Sequence, residues 1–135
     1  MSSDDLKQRV EAIETGYEFM LAYAAQGRQT DKGGGSGSQL RAHLNGMAGA
    51  LDGLGAAATA AAAAVDAELP NAGQAFFAAV DNDARVTLAA LRLVLARADI
   101  SSQLIDNLNA SIHLRALLTD LFVVDEALRP TQVRA

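Results

Sequence analysis

A chain of 135 residues without cysteine excludes disulfides, thiolate metal sites and a cysteine nucleophile, and a net charge of -5 argues against nucleic-acid binding, which needs a basic face. Half of the residues are hydrophobic but only 4% are aromatic, and the alanine that supplies much of the difference favours helices over strands. The expectation is a single all-α domain over residues 1–135, an antiparallel up-down-up-down four-helix bundle, cytoplasmic and without a membrane span.

The first helix is expected over about residues 3–26. Ser3 caps it, Asp4 and Asp5 complement the positive end of its dipole, and Leu6, Val10, Ile13, Tyr17, Met20 and Ala24 recur at steps of four and three to form one buried stripe. Lys7, Arg9, Glu11, Glu14 and Glu18 fall mainly off that stripe and read as solvent-facing. Gly27 stops the helix. Residues 27–37 have the composition of a flexible loop with nothing apolar to anchor it, and therefore of the first site of proteolysis.

A second helix over 38–69 carries the clearest rhythm in the chain, through Leu40, Leu44, Met47, Leu51, Leu54, Ala58, Ala61 and Val65. Gly46, Gly49, Gly53 and Gly55 interrupt it, and with the alanines that follow they predict a backbone approached closely by its neighbours, with Gly49 or Gly53 at the contact; the alternative is a break near Gly53. Pro70 then turns the chain. Asn71 and Gln74 form a capping box for a third helix to about residue 98, and Ser101 caps a fourth to about 129, with Ile100 and Ile105 as a hydrophobic staple and Pro130 as the stop. Leu108, Ile112, Leu117, Leu121, Val124 and Leu128 mark the buried side of the fourth, with a change of phase near His113.

No catalytic, cofactor or metal-binding set is expected. A ferritin-like dimetal site needs Glu-x-x-His on two helices, but Leu40 and Ala110 stand three residues before His43 and His113. Met20 and Met47 lie on buried stripes and are better core fillers than haem ligands. Gly33 to Ser38 leads into a helix but lacks the Lys and Ser/Thr of a phosphate-binding loop. The segment Ala42-His43-Leu44-Asn45-Gly46 resembles the phosphorylatable helix of histidine-containing phosphotransfer domains, whose pattern is similar to His-x-Leu-Lys-Gly. The resemblance implies a phosphoryl-accepting role for His43. Here leucine follows the histidine directly, glycine comes one residue early, and no lysine lies nearby.

The third and fourth helices carry more apolar surface than one stripe accounts for. Leu88, Leu93, Leu95, Leu118, Phe122 and Val123 are the expected interaction surface, covered by a second copy in a two-fold dimer or by a larger protein partner. The leading expectation is thus a non-enzymatic accessory subunit, adaptor or scaffold. Phosphotransfer through His43 comes second, and third is an apolar-ligand cavity lined by Met20, Met47, Phe76, Phe77 and Tyr17.

Overall fold

The computed structural model describes residues 2–129, with side chains from Asp4 onward, so the expected cap at Ser3 and the segment from Pro130 lie outside the described residues. Those residues form seven helices and no strand: α1 (Ser2–Ala24), α2 (Gly37–Leu51), α3 (Leu54–Val65), α4 (Leu69–Ala72), α5 (Gln74–Leu95), α6 (Ser102–Asn109) and α7 (Ile112–Ala127). The protein is all-α, with seven helices where the sequence pattern suggested four. α1 packs on α2, α3 and α6, while α5 lies against α2, α3 and α7. Among the described residues no single helix is long and apolar enough to cross a membrane; α2 and α3 together have the length, but they meet at 53°.

The expected second helix breaks at Asp52-Gly53, where Gly53 takes φ +83°, a left-handed conformation that a side chain would strain. Arg9 explains why the break is tolerated. Its guanidinium donates to the carbonyls of Ala50 (3.1 Å) and Asp52 (2.6 Å), neutralising the negative end of α2 where carbonyls would otherwise lack donors. Arg9 is therefore half-buried and structural rather than purely solvent-facing. The apolar rhythm runs on across the bend because both halves bury the same side: Leu40, Leu44, Met47 and Leu51 on α2, then Leu54, Ala58 and Ala61 on α3. Val65, at the end, is 50% exposed.

Close approach occurs at Gly55, one of the four glycines of the expected second helix, and at Gly16, rather than at Gly49 or Gly53. A Cβ at Gly16 would strike the Met47 side chain between α1 and α2, and one at Gly55 would strike the Asp81 Cβ between α3 and α5. Gly49 faces open space, and the nearest atom to a Cβ at Gly53 is Arg9, at 3.9 Å.

Pro70 sits in the first turn of α4, where its missing N–H costs nothing. Asn71 lies inside α4 and makes no capping bond, so the capping box is absent; Gly73 precedes α5 without a side-chain cap. Ser101 behaves as expected, accepting the Leu104 N–H at 3.0 Å, with Ile100 and Ile105 both buried. The change of phase near His113 is a break at Ala110-Ser111 that separates α6 from α7. It turns Ile112 outward, 78% exposed, and buries Leu114 in its place.

Residues 25–36 contain no helix, but polar groups bind them to the far half of the chain. The Arg28 N–H donates to Ser102 Oγ and the Ser102 N–H donates to the Arg28 carbonyl, both at 2.9 Å. Ser102 Oγ in turn donates to the Tyr23 carbonyl at 2.7 Å, and the Tyr23 hydroxyl donates to the Ile100 carbonyl at 2.6 Å. Burial pushes the Tyr23 phenol up, keeping it a donor. Asp31, 6% exposed, accepts from Arg41 (2.7 Å) and from the Ile100 N–H (2.9 Å), while Arg41 also donates to the carbonyls of Leu95, Arg97 and Ala98 at the end of α5. The Arg28 guanidinium folds back onto the carbonyls of Thr30, Lys32 and Gly34. Gly33, Gly34 and Gly35, all at positive φ, let the backbone curl around it.

Candidate interaction site

α5 is covered by three helices, and that accounts for most of its unusual apolarity. Leu88 is buried in the core and Leu95 packs against it, so neither belongs to the surface assigned to them from the sequence. Leu118 on α7 likewise packs against the core. Leu93, Phe122 and Val123 do reach water, at 72%, 64% and 50% exposure. An apolar residue exposed by that much is ordinary when isolated, so what matters is its surroundings.

Val123 has informative surroundings. Val123, with Val124 and Leu128, forms one wall of an apolar cavity of about 240 Å³, whose opposite wall is Leu69, Phe76 and Phe77 from the α4–α5 corner. The two phenylalanine rings stand 6.2 Å apart at 56°, a tilted arrangement that aromatic quadrupoles favour. Gly73 makes room, since a Cβ there would meet the Phe77 ring at 2.8 Å. The cavity lacks Met20, Met47 and Tyr17, so the expected five-residue ligand cavity is not assembled there: the two methionines are fully buried and fill the core.

His43 lies on a separate open cleft of about 450 Å³ between α1 and α2, shared with Glu11, Thr15 and Gly46. Its ring stacks on Phe19, 4.1 Å between centroids and 18° between planes. Gly46 leaves the cleft open beside it. No cation lines the cleft, and Glu11 is unfavourable to a phosphoryl group.

A third polar feature crosses from α5 to α7. Asp120 lies within hydrogen-bonding reach of Asp83, and His113 Nδ1 is 3.5 Å from Asp83 Oδ1. Burial, then the hydrogen bond and charge of Asp83, push the Asp120 carboxyl up to about 6. Asp120 Oδ2 is buried without a partner, as are Thr87 Oγ1 and both polar atoms of the Asn109 amide. The sequence contained a sign of this, an aspartate interrupting the apolar run from Leu117 to Val124, but period alone does not reveal the carboxylate opposite. Among the described residues no group of three His, Asp or Glu side chains is placed to hold a metal ion. Comparison with protein-family models, curated proteins and solved structures finds no match to this chain.

Proposed function

We propose that the protein is a non-enzymatic interaction module, an accessory subunit, adaptor or small scaffold, that pairs with a second copy through α7. The observation that carries this reading is the exposed Val123 on the wall of the cavity lined by Phe76 and Phe77, with the exposed Phe122 next to it in sequence. A knob and a hollow on adjacent positions of one helix suit a two-fold contact, in which each copy offers both. Burying such a surface yields roughly 25 cal/mol per Å². The proposed architecture has four rods running up-down-up-down: α1, the bent α2–α3 pair, α4–α5 and α6–α7. A cytoplasmic location accords with the cysteine-free sequence, and the net charge of -5 favours a protein partner over nucleic acid.

Light scattering at micromolar concentration tests it: the expected mass is twice the 14.0 kDa of one chain, and a single-chain mass at every concentration sinks the idea. Phe122→Glu and Val123→Glu are expected to dissociate the pair with helicity retained, because a charge buried in the contact has no partner there. A second reading, phosphoryl transfer through His43, is favoured by the half-exposed ring on an open cleft beside Gly46. Incubation with acetyl phosphate checks it, with a phosphoryl mass increment lost in His43→Ala as the supporting result.

A further inference from the structure

We propose that Asp83 and Asp120 form a proton-operated clasp that docks α7 on α5 in acid and loosens it toward neutral pH. The placement of α7 makes such a device effective. Apart from its chain neighbour α6, α5 is its principal partner. At Ala110-Ser111 the chain leaves helical geometry, and α7 begins without a side-chain cap, so the helix is jointed at the end where it joins the rest.

The chemistry lies in a missing donor. Two carboxylates facing each other across the α5–α7 contact can only accept, which leaves Asp120 Oδ2 buried without a partner. One added proton turns Asp120 into a donor to Asp83 and removes the repulsion between like charges. His113 Nδ1, also on α7, lies 3.5 Å from Asp83 Oδ1. Without the Asp120 proton the contact holds two anions.

Among the described residues no other charged group offsets this. On α5, Asp81 pairs with Arg85 and faces Gly55, while Arg92 is exposed. α3 has no titratable residue. On α2, Arg41 is held by Asp31 and His43 stacks on Phe19. Asp106 on α6 and Arg115, Asp125 and Glu126 on α7 are exposed.

The sign follows from the raised Asp120 value. The docked form binds its proton more tightly than a solvated aspartate does, so docking is strongest below the ordinary carboxylate range, weakens as the pH climbs through it, and reaches its lower plateau above about 6. The interval corresponds to roughly a hundredfold change in the docking equilibrium. Because α7 supplies one wall of the Phe76–Phe77 cavity, loosening it opens that wall. The clasp is independent of whether anything binds there.

Hydrogen exchange read peptide by peptide, at about pH 5 and about pH 7.5 and corrected for intrinsic rates, tests the proposal. The α7 amides are expected to lose roughly tenfold protection at the higher pH while α1 amides keep theirs. Asp120→Asn, which donates to Asp83 at every pH, is expected to flatten the α7 response, and Asp83→Asn to flatten it by removing the opposing charge. The same measurement on Phe122→Glu separates the clasp from self-association. Equal α7 protection at both pH values in the unmutated protein, or an undiminished response in both Asn variants, overturns it.

Discussion

Asp31 and Arg41 close a loop across ten positions of sequence at 2.7 Å, and the same two side chains reach the backbone at Ile100 and at the end of α5. Burial raises the Asp31 carboxyl, but the hydrogen bonds from Arg41 and the Ile100 N–H outweigh it and hold the group below the usual carboxylate range.

Asp31→Asn is therefore expected to cost about 2–3 kcal/mol, since it leaves a half-buried guanidinium without its charge partner. For a depressed carboxylate the contribution is present above the unfolded value and is lost as the pH falls through the folded one. Urea unfolding at neutral and strongly acid pH checks this: the gap between the two proteins should close in acid, and a constant gap would contradict it.

Trypsin is expected to spare the Arg28–Gln29 bond in the native protein. Both backbone polar groups of Arg28 are engaged by Ser102, and its side chain is folded onto its own loop, so the segment cannot extend into a protease cleft. Ser102→Ala should accelerate cleavage there. Early cutting at Arg28 in the unmutated protein would restore the flexible linker that composition alone suggests.

Three glycines of the expected second helix should respond in opposite senses. Gly49→Ala meets open space and is expected to stabilise by roughly 0.5–1 kcal/mol through helix propensity. Gly53→Ala should destabilise by about 1 kcal/mol from its left-handed backbone. Gly55→Leu, driven against Asp81 near its backbone, should cost roughly 1–3 kcal/mol. Melting temperatures of the three variants decide the order.

Thr87→Val is expected to raise stability by about 1 kcal/mol, because the Thr87 hydroxyl is buried without a partner and valine has the same shape. A lower melting temperature would mean that a water bonds the hydroxyl.

The periodic residues were the readable part of the fold. The stripe through Leu40, Leu44 and Met47 predicts burial correctly, because a 3.6-residue period places side chains on one face whatever the partner is. The break near Gly53 is legible in the sequence as the alternative to one continuous helix, but the Arg9 contacts that make it tolerable come from more than forty residues earlier, which no local pattern contains. The exposed positions divided the same way. Leu93, Phe122 and Val123 were placed on the surface and are there, while Leu88 is buried because α5 is enclosed by three helices. Glycines in residues 33–37 look flexible in composition, yet three of them adopt the positive φ that wraps the Arg28 side chain. Composition measures freedom in the unfolded chain, not what tertiary bonds do with it.

The bonds from Tyr23 and Asp31 to Ile100 and Ser102 span 77, 69 and 79 positions, and this sets an order of events during synthesis. At about 5–20 residues per second, α1 and α2 leave the ribosome several seconds before residues 95–102 do. In that interval Asp31 and Arg41 have each other but lack their backbone partners, and Tyr23 has no acceptor. The first two helices must therefore wait as a pair with an open seam. A ribosome that stalled before Leu95 would leave that seam unclosed, with Tyr23, Asp31 and Arg41 still lacking the backbone partners that residues 95–102 supply.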